Sequence, residues 1–194
     1  MLALGLLAHL PWSAARHDAD RPISGIKPCL LRRNRSYRIQ VKALFLFNFS
    51  KYVDWPSEAF ATANAPIVIG VIGGSVEGKF LRELARTVQA KNVDGRSILV
   101  RQIQTLEDLD KCHVLFIRSS EKTRLGEILG GLKTRPVLTV SETDQFLEEG
   151  GVINFVKKEG KIRLEINLDA ARQANLQISS KLLNVADVVK GKLK

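Results

Sequence analysis

Two cysteines in 194 residues are too few for a disulfide framework, and Cys29 and Cys112 lack the spacing of a metal-ligand set. Histidine is as scarce. Only His113 of the three lies beyond the first 20 residues, and G-x-S-x-G does not occur, so a Ser-His-Asp triad has little to draw on. Alternation along a strand would send Cys112 and His113 to opposite faces, which rules them out as a nucleophile and base. No stretch reaches the roughly 20 apolar residues of a bilayer span. Aromatics make up 6% of the chain and are not interleaved with basic residues, so no nucleic-acid partner is expected. The chain reads as a non-catalytic binding domain with neither metal nor cofactor.

Positive charge is in excess. The formal net charge of +10 favours acidic partners. Arg32, Arg33, Arg35 and Arg38 cluster near the start, while Lys157, Lys158, Lys161, Lys181, Lys190, Lys192 and Lys194 are spread over late turns and the tail. Most of this charge reads as solvated surface, with an anion-binding patch as the sharper alternative.

The chain length and the 45% hydrophobic content fit one domain, assigned to residues 36–194. The apolar run Leu2–Leu10, followed by Trp12-Ser13-Ala14-Ala15, has the form of a secretory h-region and cleavage site without a basic n-region. Residues 1–15 are therefore expected to be a truncated signal peptide, the alternative being an apolar disordered start. Residues 16–35 carry Pro22, Gly25 and Pro28 without periodicity and read as a linker.

The stretch Gln40–Pro56, QVKALFLFNFSKYVDWP, is apolar on nearly every side of a helical wheel, so the predicted helix must be covered on most of its surface. Ile67–Ile72 is a β-branched run typical of a buried parallel strand, and a helix is expected over Val76–Val88. Strands at Ser97–Ile103, His113–Arg118 and Pro136–Val140 alternate with a short helical turn at Leu106–Asp110, a helix capped by Ser119 or Ser120 and running to about Leu132, and a short helix at Ser141–Leu147. Val152–Val156 and Lys161–Asn167 form a hairpin with Gly160 in its turn, placed near the sheet edge. Leu168–Ala174 and Ser180–Val189 are expected to be closing helices. The pattern predicts a single layered α/β domain, Rossmann-like, with a mostly parallel sheet and an antiparallel C-terminal hairpin.

Gly73–Phe80, GGSVEGKF, matches G-x-x-x-x-G-K, but Phe80 replaces the hydroxyl that would bind magnesium. Nucleotide hydrolysis is thereby excluded, whereas backbone N–H groups at Gly73, Gly74 and Ser75, with Ser119 and Ser120, remain able to hold an anion or other small ligand. A receiver domain is excluded too, since Gly73-Gly74 and Ser119 stand where its acids should be. Tyr52 and Trp55 are candidate partner anchors, the alternative being burial under the loop to Pro66. Phe155, Arg163 and Glu165 on the hairpin carry the same two readings.

Taken in order, QVKALFLFNFSKYVDWP, IVIGVIGG, CHVLFIRSSE, PVLTVSETDQFLEEGGVINFV and INLDAARQANLQISSKLLNVA resemble the YfiR family of bacterial periplasmic proteins over residues 37–189. The resemblance implies a periplasmic, non-enzymatic α/β protein. It also implies that the protein binds the sensor region of an inner-membrane diguanylate cyclase and represses it, controlling cyclic-di-GMP signalling and biofilm formation. A homodimer stays open, as does the alternative of a periplasmic receptor for an anion or nucleotide. One departure is Gly70, where many relatives carry a first-strand cysteine able to pair with the one matching Cys112. The resemblance therefore implies a buried, reduced thiol at Cys112.

Overall fold

The computed structural model describes residues 28–189, apart from 75–77 and 133–134. The expected signal peptide over 1–15 and the expected linker up to residue 27 lie outside the described residues.

In chain order the elements are α1 (Pro28–Tyr52), β1 (Val53–Asp54), β2 (Ile67–Ile72), α2 (Lys79–Val88), β3 (Asn92–Val93), β4 (Arg96–Ile103), β5 (Val114–Ile117) and α3 (Leu125–Gly130). There follow β6 (Leu138–Ser141), β7 (Ile153–Lys158), β8 (Lys161–Asn167), α4 (Leu168–Gln173), β9 (Gln177–Ile178), α5 (Ser180–Leu183) and β10 (Asp187–Val189). The main sheet has eight strands in the order β10-β8-β7-β6-β5-β2-β4-β3. All its pairings are parallel except β7 with β8 and β3 with β4.

Period-two alternation divides the core. Ile69, Val71, Val114, Phe116, Val140, Ile153, Phe155 and Leu164 face α1 and α2. Val68, Ile72, Leu115 and Ile117 face α3 and the segment around Phe146. The result is a three-layer α/β/α domain, as the alternating pattern predicted.

α1 begins twelve residues before Gln40. Pro28 takes the first helical position, where its missing N–H and fixed φ suit a helix start, and the Leu and Arg residues that follow are good helix formers. Residues 28–35 of the expected linker are therefore helix. At its other end the helix stops at Tyr52, because Val53 and Asp54 pair with Ile178 and Gln177 as a short antiparallel ribbon. Ala43, Leu46 and Phe49 are fully buried against the sheet, whereas Leu44 is 49% exposed, so this nearly all-round apolar helix has an uncovered side.

Other boundaries differ for local reasons. Ser119 and Ser120 cap no helix: a 3-10 turn, Ser119–Arg124, starts there from Arg118 with no side-chain cap. Residues 144–150 form turns rather than a helix, with the Ser141 hydroxyl donating to the Ile117 carbonyl at 2.8 Å. The expected last helix ends at Leu183, and β10 then lies parallel to β8. The hairpin thus lies near the sheet edge as expected, one strand in, with β10 outside it and tied by the Lys158 ammonium to Asp187 at 2.8 Å. The hairpin turn itself is as expected, with Glu159 and Gly160 at φ 51° and 76°.

Candidate functional site

Two basic stripes share one spacing. On α1, Arg35, Arg38 and Lys42 follow i, i+3, i+7, and on α2 Lys79, Arg82 and Arg86 do the same, so each set lies along one helix face. The two helices pack side by side on the same face of the sheet, and their stripes line a cleft of about 1050 Å³. Phe80 and Phe116, buried with ring centroids 4.9 Å apart, help to line it. Arg118, just beyond β5, adds a seventh basic side chain, its guanidinium 5.8 Å from the Phe80 ring centroid. Glu142 pairs with Lys42, and Glu83 pairs with Arg86 at 2.7 Å. The Glu83 carboxylate holds the Arg86 guanidinium above its already high ordinary range.

Sheet topology places this cleft. The chain leaves β2 for β4 on one side and then crosses to β5 on the other. The crevice outside the carboxyl ends of β2 and β5 is thus a switch point, the usual ligand position in open α/β sheets.

The small-ligand residues expected from sequence gather at this end of the sheet without lining the cleft. Gly74, at φ +78°, lies so close to Arg118 that a Cβ there would run into the guanidinium; a Cβ on Gly73 would meet the Ser120 hydroxyl. Ser119 and Ser120 are exposed, and Ser75 is outside the described residues. The cleft's own bases were missed: each stripe has a regular spacing, but only the packing of α1 against α2 brings the two together.

The expected partner residues do not form one patch. Phe155 is 5% exposed, with its ring 5.9 to 6.1 Å from those of Phe45, Phe49 and Phe116. It faces α1 and is core, because its position on β7 falls on the inward side of the alternation. Arg163 and Glu165 lie on the opposite face of β8 from Leu164, and Glu165 accepts from Lys158 at 3.0 Å. Tyr52 is half-buried at the end of α1. Trp55 is partly buried under the loop to Pro66, where its indole N–H donates to the His113 carbonyl at 3.2 Å.

That loop is fastened around His113, which is 7% exposed. The Val68 N–H donates to His113 Nδ1 at 3.1 Å, so Nε2 carries the proton and donates to the Ala59 carbonyl at 3.1 Å. Phe60 stacks on the imidazole at 4.5 Å, and the Arg96 guanidinium lies 3.8 Å from the Phe60 ring centroid. Burial pushes the imidazole below its ordinary value near 6.5 despite the Ala59 bond, and Arg96 pushes it the same way. This is a neutral structural histidine.

α1 also carries an outward stripe. Tyr37 and Leu44 are 64% and 49% exposed, and the partly buried Val41 and Asn48 complete a face at i, i+4, i+7, i+11 that continues toward Tyr52.

Comparison with known proteins adds a family. The family model described as YfiR/HmsC-like matches residues 39–187. No curated protein matches the chain. Among solved structures, the ABC domain in complex with L-Trp from Streptococcus pneumonia superposes with a TM-score of 0.47 at 10% identity, covering 63% of this chain. The match spans 55% of that structure's length, and at this level of likeness it carries no argument.

Proposed function

The chain belongs to the YfiR/HmsC-like family, whose members are periplasmic, non-catalytic regulators in cyclic-di-GMP signalling, and on that premise we propose that it represses an inner-membrane diguanylate cyclase by binding the cyclase's periplasmic sensor region. The family match over 39–187 is the observation that carries this reading. The outward stripe of α1 supports it, since Tyr37 and Leu44 leave large apolar surface in water on a helix whose other sides go to the core and to the basic cleft. Tyr52, at the end of the same helix, belongs to this proposed surface. Trp55 is left out because its indole is engaged with His113 under the loop to Pro66, and Arg163 and Glu165 form a separate, secondary candidate contact. Phe155 is left out because it is covered by α1.

The test is retention of a membrane protein bearing a cyclase domain from solubilised membranes by the tagged chain. Leu44→Asp should abolish retention while leaving stability within about 0.5 kcal/mol, as exposed substitutions do. Retention of the cyclase by Leu44→Asp at the wild-type level would remove α1 from the interface.

A further inference from the structure

The cleft between α1 and α2 has a charge pattern that the repressor reading does not use. Seven basic side chains among the described residues line it against two carboxylates, and each carboxylate is already engaged by one of the bases. Among the described residues, Arg35, Arg38, Lys79 and Arg118 make no ion pair. Like charges gathered in a concave space with low-dielectric walls repel one another and focus a positive potential into it. Such an arrangement is unfavourable for the empty fold and strongly favourable for a multiply charged anion.

We propose that this cleft binds a soluble compound carrying clustered phosphate groups, of nucleotide or organic polyphosphate size. The volume of about 1050 Å³ lies at the upper end of small-molecule sites. Arginine forks from α1 and from the end of β5, with Lys79 of α2 beside them, can take several phosphate oxygens at once, in the bidentate geometry that guanidinium provides and ammonium does not. Arg118 has its place fixed by three features: the Phe80 ring, the missing Cβ of Gly74 and the end of β5. It is the positioned contact, and the helix bases form the field around it. The site sits at the switch point of the sheet, apart from the His113 end. Because the charges line a recess rather than a flat face, a dissolved ligand fits better than the headgroups of a lipid surface.

The proposal is tested on the purified chain by calorimetric titration with inorganic tripolyphosphate in about 50 mM salt, where electrostatic binding is least screened. Binding at a 1:1 ratio is expected. The double change Arg38→Ala with Arg118→Ala should weaken it tenfold or more, and Arg38→Ala alone, on exposed helix surface, should weaken it severalfold in a folded protein. Lys161→Ala with Lys181→Ala removes the same net charge away from the cleft and should leave affinity within twofold. Absence of binding would overturn the proposal, as would equal losses in the two double variants, which would mark an adventitious response to net charge. Flotation with phosphatidylglycerol vesicles, in the absence of tripolyphosphate binding, would reassign the cleft to a membrane surface and overturn it as well. No partner protein enters the assay, so its failure leaves the repressor reading untouched.

Discussion

Phe155→Ala separates a core residue from an interface anchor. The side chain is 5% exposed, lies among the rings of Phe45, Phe49 and Phe116 at 5.9 to 6.1 Å, and has the Lys42 ammonium 5.8 Å from its centroid. Truncating a phenylalanine so enclosed costs about 3–5 kcal/mol, combining lost transfer free energy with the cavity that neighbours only partly fill. Against a typical domain stability of about 5–15 kcal/mol, the variant keeps its fold in buffer but loses much of its margin. In urea denaturation the midpoint should fall sharply with little change in slope. Phe155→Leu, which keeps most of the volume, should cost about 1–2 kcal/mol. A loss below about 1 kcal/mol for the alanine variant, together with lost partner retention, would refute the core assignment and place Phe155 at an interface.

Other parts of the structure make equally definite predictions. The His113 imidazole is held below its unfolded value near 6.5, so below that pH the unfolded chain takes up a proton that the folded chain refuses. Stability should therefore fall as pH drops from about 6.5 toward the folded value, by at most about 1.4 kcal/mol per pH unit for one proton. His113→Gln should lack this component, measured as urea midpoints against pH. The buried Asn167 side chain accepts from the Asp169 and Ala170 N–H groups and donates to the Leu147 carbonyl. Asn167→Ala should cost about 1–3 kcal/mol in thermal denaturation, since it removes a helix cap and the shorter of two hydrogen bonds to the Leu147 carbonyl, which then keeps only the Gly150 N–H at 3.3 Å. Gly70→Ala would set a Cβ against the Cys112 sulfur, with the Ile103 Cγ1 at 2.9 Å. An overpacking cost of about 1–3 kcal/mol is expected from the same measurement.

Much of the sheet was legible because buried strands advertise themselves. IVIGVI and VLFI are continuous β-branched and apolar runs, and the alternation in KIRLEIN marks a strand with one face in the core. Short elements were less visible. β3 and the start of β4 form a tight hairpin with Asp94 and Gly95 at φ 51° and 80°, and the Asp-Gly signal for it was present but unread. β10 spans only Asp187–Val189, too few residues to show a period, and its place is decided by pairing with β8. The start of α1 was obscured because Pro28 punctuates a loop as readily as it begins a helix. Phe155 and Trp55 show the limit for surface residues: sequence identifies a large aromatic, but only the packing of α1 over β7, or the donation to the His113 carbonyl, decides that it is spent inside. The basic cleft was beyond a linear reading for a related reason. Its two stripes stand some forty residues apart, and their charges read as scattered until α1 and α2 are laid side by side.

The central claim is repression by direct contact, and the most direct measurement is cyclic-di-GMP synthesis by vesicles holding the partner cyclase with its sensor region outward, titrated with the purified chain. Synthesis should fall in a saturable manner, with Leu44→Asp shifted to at least tenfold higher concentration. Unchanged synthesis at saturating amounts of folded protein would contradict the account.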